Sequence, residues 1–224
     1  MATLQGLDRG LQALAAVSAR PDGLSVADLA AEIGIDRAVA YRIVETLEQH
    51  GLVVRTEGRR YRLGAGVIAL AERFHPQLLH AASPVLQELA DATRAAAFLT
   101  VEHDELEGVP VAGAEARAAS EAVHVGYRIG VRHALDRGAN GLAILALRPP
   151  VEGEPAEVAR ARERGYASTS GHLQPGASGI AAGFVAPGPL AASIGVVAMG
   201  ELDEERVAGL VRAAARRLAE LSRT

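Results

Sequence analysis

Apolar residues recur at helical spacing near the start of the chain, and glycine or proline interrupts the pattern. A stripe of Leu7, Leu11, Leu14 and Val17 predicts a first helix over residues 4–19. A Pro-Asp-Gly tripeptide follows and should end that helix. The same periodicity then resumes in two shorter segments.

These two segments predict a pair of helices joined by a tight turn. Ser25 with Asp28 three residues later is typical of a capped helix start, and Gly34 of a helix end. Asp36 is placed to cap the next helix, over residues 37–50. Helix, tight turn and helix are typical of a helix-turn-helix.

The second of these helices has two unlike faces. Its core side is predicted to hold Ala40, Ile43, Val44 and Leu47. Its other side is predicted to face solvent or DNA, with Arg37, Ala38, Tyr41, Arg42 and Glu45.

An arginine-rich hairpin follows, with strands at 52–55 and 59–63 around a Glu-Gly turn. Four arginines against one glutamate give this ribbon a positive charge suited to phosphates. Together these elements predict a winged helix-turn-helix, and the alternative is an ordinary helical subdomain with a solvated basic hairpin. The predicted DNA contacts are Ser25, Arg37, Ala38, Tyr41, Arg42, Arg59, Arg60 and Arg62.

A further amphipathic helix is predicted over residues 66–74, with Val67, Leu70, Ala71 and Phe74 at helical spacing. It packs either on the same helix of a second copy or on its own C-terminal domain. The predicted domains are therefore 1–64, a linker helix over 65–76, and 77–224.

The pattern beyond residue 77 alternates between strands and helices, which predicts an α+β domain. A helix is predicted to start at Pro84 and to cover 85–92. Further helices are predicted at 139–147, just before Gly165, and at 203–221, and strands at 96–102, 106–112, 122–127, 180–185 and 192–198.

Charge is distributed unevenly along the chain. The net charge is −4, yet residues 1–66 hold eight arginines and eight acids. DNA affinity must therefore come from a local patch, which dimerisation would double. No cysteine, no long apolar run and no leader pattern are present, so we expect a cytoplasmic protein without disulfides or a membrane partner.

No catalytic or metal motif is evident in the sequence. The seven histidines do not show metal-ligand spacing with carboxylates, and Ser178 lies outside a nucleophile elbow. No phosphate-binding glycine motif follows a strand. We expect neither an enzyme nor a cofactor.

The segments AYRIVETLEQHGLV and GRRYRLG, with VHVGYRIG, RERGYA and PGASGIAAGF downstream, resemble the IclR family of bacterial transcriptional regulators. The resemblance implies a winged helix-turn-helix followed by a GAF-like effector-binding domain. It also implies a homodimer or homotetramer that binds operator DNA and a small carboxylate or aromatic effector. Where family members often have Ser and Thr before the Tyr-Arg pair, this chain has Ala38 and Val39.

The resemblance also places the effector site in three segments, residues 127–135, 136–139 and 168–179, the last with the neighbouring strand that carries Ser193 and Gly195. Arg128 could pair with an acid, and the amides near Gly138 and Ala139 could bind a carboxylate. The predicted effector contacts are Tyr127, Arg128, His133, Gly138, Ala139, Thr169, His172, Gly179 and Ser193. The alternative is a C-terminal domain that serves only oligomerisation or partner binding.

Overall fold

The computed structural model describes residues 3–117, 128–172 and 174–221. The chain divides into two compact units, Met1–His75 and Pro76–Thr224. We describe each unit by itself. The predicted strand over 122–127, and Tyr127 with it, lies outside the described residues.

The first unit is a helical bundle with a small antiparallel sheet in the order β1-β3-β2. Its elements are α1 (Gln5–Ser18), β1 (Leu24–Ser25), α2 (Val26–Glu32), α3 (Arg37–Gln49), β2 (Val53–Arg55), β3 (Arg60–Leu63) and α4 (Gly66–Ala71). One apolar core joins α1, α2, α3 and the sheet, with Val17, Leu29, Val44, Val53 and Tyr61 at its centre. The sheet includes β1, which the sequence pattern did not predict.

The predicted caps and stops of the helix-turn-helix are confirmed. The Asp28 amide donates to Ser25 Oγ at 3.2 Å, and the Ala38 amide donates to Asp36 Oδ1 at 2.7 Å. Gly34 and Gly51 have φ values of 66° and 68°, the left-handed conformation that ends a helix. The turn between α2 and α3 is therefore fixed by local chemistry.

The predicted apolar stripe of α1 is only partly buried. Ala13, Ala16 and Val17 face the core, whereas Leu7 and Leu11 are exposed. Small side chains let α1 approach α3 closely, so the alanine side of the helix turns inward and the leucine side outward.

The linker helix is shorter than predicted. α4 ends at Ala71, three residues before Phe74, and Glu72 and Arg73 follow in a turn. His75 has a φ of 41°, and Pro76 begins the next helix. The positive φ of His75 interrupts the helical conformation, so the helix that begins at Pro76 is a separate one.

The second unit is a six-stranded antiparallel sheet in the order β6-β5-β4-β9-β8-β7. Its strands are β4 (Ala96–Glu102), β5 (Glu107–Ala114), β6 (His133–Ala134), β7 (Ala167–Ser170), β8 (Ala177–Ala186) and β9 (Leu190–Met199). Its helices are α5 (Pro76–Thr93), α6 (Gly138–Leu145), α7 (Ala156–Arg164) and α8 (Glu204–Leu221). The fold is α+β, with a winged helix-turn-helix unit followed by a unit built on one antiparallel sheet, and the predicted fold class is confirmed.

Helices cover both faces of this sheet. α5 and α8 pack on one face in the larger apolar core, which includes Leu86, Leu99, Ile194 and Leu218. α6 and α7 pack on the other face, against Ala167 of β7 and other small side chains. The second face therefore brings a helix close to the backbone of the sheet.

The structure corrects the predicted start of α5. This helix begins at Pro76, and Pro84 lies inside it rather than at its start. Proline lacks the amide that would bond to the preceding turn, so the helix gives up one bond there and continues because its apolar side is buried. β4 matches its prediction, whereas β6 and β7 were not predicted.

No helix in the described ranges is long and apolar enough to span a membrane.

Candidate functional site

One face of α3 is polar, exposed and free of packing. Arg37, Ala38, Tyr41 and Arg42 all lie on it, and Tyr41 is 43% exposed. The opposite face carries the fully buried Ala40 and Val44. The structure thus gathers four of the predicted DNA contacts on one accessible helix surface.

The hairpin of β2 and β3, which forms part of this unit's sheet, carries four arginines. Arg55, Arg59 and Arg62 are exposed and Arg60 is half-buried. None of the four forms an ion pair within the part of the chain that the structure describes. Their guanidinium groups are therefore available to phosphates.

Arg59 lies in the turn of the hairpin rather than in the strand where it was predicted. Its φ of 59° is left-handed, a conformation that costs a non-glycine residue free energy. The turn bends there because Glu57 and Gly58 precede it and the Thr56 amide closes the loop on the Arg60 carbonyl at 2.8 Å. The left-handed conformation of Arg59 places its charged side chain at the tip of the hairpin.

Ser25 is held inside the unit. Its hydroxyl accepts from the Asp28 amide and donates to Asp28 Oδ2 at 2.7 Å. Its backbone pairs with Arg60 in the sheet. The residue therefore links the start of α2 to the wing.

Tyr61 anchors the wing from the inside. It is 3% exposed, and burial raises the pKa of its phenol, with the Glu48 carboxylate adding to the effect. The phenol therefore stays neutral, and the wing is fixed on an uncharged aromatic residue.

The second unit has a small cavity where α6 begins. Gly138 has a φ of 78° and opens the helix after Arg137. The cavity is lined by Arg137, Gly138, Ala139, Asn140, Thr169, His172, Ala177, Ser178, Gly179, Val196 and Val197. Its volume of about 20 Å³ leaves room for roughly one water molecule.

Glycines let α6 lie directly on the sheet at this cavity. A side chain at Gly195 would overlap Ala181 and come within 2.5 Å of Asn140 Oδ1, and one at Gly183 would overlap the Ala143 carbonyl. Asn140 is 5% exposed. This close approach places α6 directly against strands β7, β8 and β9.

The cavity collects five of the predicted effector contacts. These are Gly138, Ala139, Thr169, His172 and Gly179. The cavity adds Arg137 and Ser178, which lie in the predicted lining segments, and Asn140, which was not predicted. Arg137 directly precedes the predicted Gly138, so the sequence held a signal for it. Asn140 carried no such signal, because a single amide in an apolar helix has many roles.

The other predicted effector residues do not join the lining. Ser193 is fully buried within β9, and its hydroxyl has no hydrogen-bond partner among the described residues. His133 lies in β6, at the opposite edge of the sheet from β7, and burial lowers the pKa of its imidazole. Arg128 is exposed and outside the cavity.

Within the described ranges, no three His, Asp or Glu side chains lie together as they would around a metal ion.

Comparisons with known proteins agree with this geometry. Residues 6–57 match the IclR helix-turn-helix domain. An HTH-type transcriptional regulator of Mycobacterium tuberculosis is 30% identical over 151 residues, which cover 66% of this chain and 56% of that protein. The chain therefore spans little more than half the length of this curated relative.

Solved structures of IclR regulators share the fold over the whole chain. An IclR homologue from Microbacterium hydrocarbonoxydans, complexed with 4-hydroxybenzoate, is 20% identical with a TM-score of 0.81, covering 97% of this chain and 99% of that one. An IclR transcriptional regulator from Alicyclobacillus acidocaldarius is 19% identical with a TM-score of 0.77, covering 99% of both chains. Residues 6–57 are therefore an IclR helix-turn-helix domain, and the fold of the chain is similar to that of solved IclR regulators.

Proposed function

We propose that this protein binds double-stranded operator DNA as a homo-oligomer, a dimer or a tetramer, in the bacterial cytoplasm. The exposed face of α3 enters the major groove, where Arg37, Tyr41 and Arg42 contact base edges and Ala38 meets a thymine methyl. Arg59, Arg60 and Arg62 contact phosphates beside the groove, and Ser25 holds the wing in place. No catalytic step and no cofactor belong to this function.

The observation that supports the proposal is that one unit carries both the exposed polar face of α3 and the exposed arginines of the wing. The face of α3 is polar without packing on anything, and the wing arginines lack carboxylate partners among the described residues. Exposure to solvent does not explain why an arginine occupies the strained position 59. Contact of its guanidinium group with the phosphates of DNA does explain it.

A small carboxylate or aromatic effector is proposed to bind at the cavity of the second unit. Arg137 and the amides that begin α6 offer positive charge and hydrogen-bond donors to an anion, and Val196 and Val197 offer apolar contact. The homologue from Microbacterium hydrocarbonoxydans, which has this fold, is complexed with such a molecule, 4-hydroxybenzoate. Arg137 replaces Arg128 as our candidate anchor because it borders the cavity.

A second candidate function has its own support. A cavity of about 20 Å³ cannot hold an aromatic acid without rearrangement. The second unit would then serve oligomerisation or a protein partner alone. Thermal unfolding with a panel of small carboxylates separates the two candidates, because only a ligand that binds the folded state raises the midpoint.

The test of DNA binding is a change on α3. Operator fragments are first selected from genomic DNA by capture with the protein. Arg42→Ala should then weaken binding to the selected DNA by about 1–3 kcal/mol in a gel-shift titration. Folding should not change, because the side chain is exposed.

Arg216→Ala is the matched control, since Arg216 is also exposed but lies on α8. It should leave DNA affinity near the wild-type value. Equal affinities of the wild type and Arg42→Ala for the selected DNA would contradict the assignment of α3.

A further inference from the structure

Glu45 is an exposed carboxylate on the helix that is proposed to enter the DNA groove. It follows Ala38 by seven residues, close to two turns of an α-helix, so the two side chains lie in line along α3. The opposite side of the helix packs into the core with Ala40, Ile43, Val44 and Leu47. Glu45 therefore lies near the middle of the exposed face, where base edges would be, and not at its margin.

α3 itself has no net charge to attract DNA. Its two arginines, Arg37 and Arg42, are balanced by Glu45 and Glu48, and all four side chains are exposed. The positive charge of the proposed DNA-binding surface comes instead from the arginines of the wing. A carboxylate in the middle of such a surface repels phosphates, so Glu45 weakens DNA binding unless it gains a contact of its own.

The Glu45 carboxylate is not engaged inside the protein. Arg42, three residues earlier, is the nearest cation along the helix, yet among the described residues Glu45 forms no ion pair and no side-chain hydrogen bond. Glu48 differs, because its Oε1 accepts from the Arg55 amide at 3.3 Å and ties α3 to the wing. Glu48 thus has a structural role, whereas both oxygens of Glu45 are available to a ligand.

Glu45 lies on the wing side of the exposed face. Burial raises the pKa of the Tyr61 phenol, and the carboxylates of Glu48 and Glu45 add to the effect, so both lie near the inner side of the hairpin. Arg42, by contrast, lines the groove between α1 and α3, which Glu45 does not. Glu45 is therefore placed between Arg42 and the wing.

The four bases differ in the groups that they present in the major groove. A carboxylate only accepts hydrogen bonds, and cytosine presents there a single amino donor, at N4. Adenine presents an amino donor beside an N7 acceptor, and the acceptors of guanine and thymine repel a carboxylate. Cytosine is therefore the base that an unpaired glutamate on this face favours.

We propose that Glu45 recognises a cytosine in each operator half-site by accepting a hydrogen bond from its N4 amino group, and that it adds sequence preference at a cost in affinity. The inference rests on the proposed function in taking α3 as the helix that enters the major groove. At a matching site the hydrogen bond offsets the repulsion by phosphates. At any other base the repulsion is uncompensated, so Glu45 acts mainly by excluding wrong sequences.

Selection from a library of random DNA sequences with the full chain tests the assignment. The wild type should enrich sequences with a cytosine at one position where Glu45→Gln shows no preference, while the preferences at other positions are shared. Gel shifts then compare the selected site with one in which that C·G pair is replaced by T·A. The wild type should favour the C·G site about tenfold, and Glu45→Gln should bind both sites about equally.

Two variants of the same residue separate base recognition from repulsion. Glu45→Gln removes the charge and should bind DNA of unrelated sequence about threefold more tightly than the wild type at low salt. Glu45→Asp keeps the charge but shortens the side chain by one methylene group. It should lose the cytosine preference without gaining affinity for unrelated DNA. Because the position is exposed, thermal unfolding of both variants should stay close to that of the wild type.

Glu48→Gln is the matched control, because it removes a charge from the same helix and keeps an oxygen that can accept from the Arg55 amide. It should raise the affinity for all sequences and leave the cytosine preference intact.

Three results would overturn the proposal. In the first, Glu45→Gln binds all sequences more tightly with unchanged preferences, so that Glu45 acts only by repulsion. In the second, the preference that Glu45→Gln loses is for a base other than cytosine. In the third, the wild type itself shows no preference among sequences, which would overturn the proposed function and this inference with it.

Discussion

The proposed DNA-binding surface and the proposed effector cavity differ in how fully each is formed. α3 and the wing present exposed side chains on a backbone fixed by caps, strand pairing and a buried Tyr61. The cavity at α6 has room for about one water molecule. The first surface can bind DNA with little change of shape, whereas the second must open before a metabolite fits.

The largest effect is expected from filling the space between α6 and the sheet. Gly195→Val would force a side chain into Ala181 and Asn140. Overpacking of this kind should lower the free energy of unfolding of the second unit by about 3 kcal/mol, measured by urea denaturation. The first unit should keep its own transition.

The control is a glycine with open space around it. Gly209 lies in α8 and a side chain there would contact nothing within 4 Å. Gly209→Ala should therefore stabilise the helix by about 0.5–1 kcal/mol. Destabilisation by both variants would mean that α6 does not depend on close approach at Gly195.

The next largest effect is expected on effector affinity, from changing Arg137, the proposed anchor. Arg137→Ala should weaken binding of a carboxylate ligand about tenfold, measured by calorimetry with whichever acid raises the unfolding midpoint. Arg128→Ala should change the affinity little, because Arg128 lies outside the cavity. The reverse ranking would restore Arg128 as the anchor and make the described cavity irrelevant to the effector.

A third prediction separates stability from binding at the wing. Arg59→Gly should raise stability by about 0.5–1 kcal/mol, because glycine adopts the left-handed φ without strain. The same change should reduce the salt dependence of DNA affinity by about one unit of slope, since one phosphate contact is lost. Thermal unfolding and gel shifts at several salt concentrations measure the two effects.

Arg59→Ala supplies the comparison, because it removes the charge but keeps the strain. It should flatten the salt dependence equally and give no gain in stability. If Arg59→Ala loses preference among DNA sequences but keeps the wild-type salt dependence of DNA affinity, Arg59 contacts bases instead of phosphates.

The smallest effect concerns acid stability of the second unit. A hydrogen bond from Tyr166 and the Arg164 guanidinium hold the pKa of Glu204 below its ordinary value of 4.5. A depressed pKa gives stability that is present above pH 4.5 and is lost as the pH falls through the folded value. Glu204→Gln should remove this dependence and, because Glu204 is partly exposed, cost only about 0.5 kcal/mol at neutral pH.

Local chemistry explains which parts of the fold were predictable. Gly34, Asp36 and Gly51 mark the ends of α2 and α3, so the helix-turn-helix followed from residues close together in the chain. β1 and β6 have two residues each, too few to show alternation. Pro84 predicts a helix start because proline favours the first position of a helix, but burial of Leu78 and Ala82 extends α5 back to Pro76.

Two kinds of signal pointed to the candidate site. Gly138 lies beside the free amides at a helix start, whereas Thr169, His172 and Gly179 followed from the family resemblance. Ser193 follows the alternation of its strand, yet it is fully buried and outside the lining. Which side chains border an empty space depends on how α6 meets three strands, and a linear pattern does not contain that.

The two-residue strand β1 has a consequence for how the protein could be regulated. Through Ser25 this strand fastens the wing to the start of α2, so the wing and the helix-turn-helix are held at a fixed distance from each other. Changing that distance would require breaking the strand pairing and the cap of α2. Under the proposed function, an effector would act on the distance between the DNA-binding units of two copies. Operators should therefore tolerate changes inside a half-site less readily than changes in the spacing of half-sites.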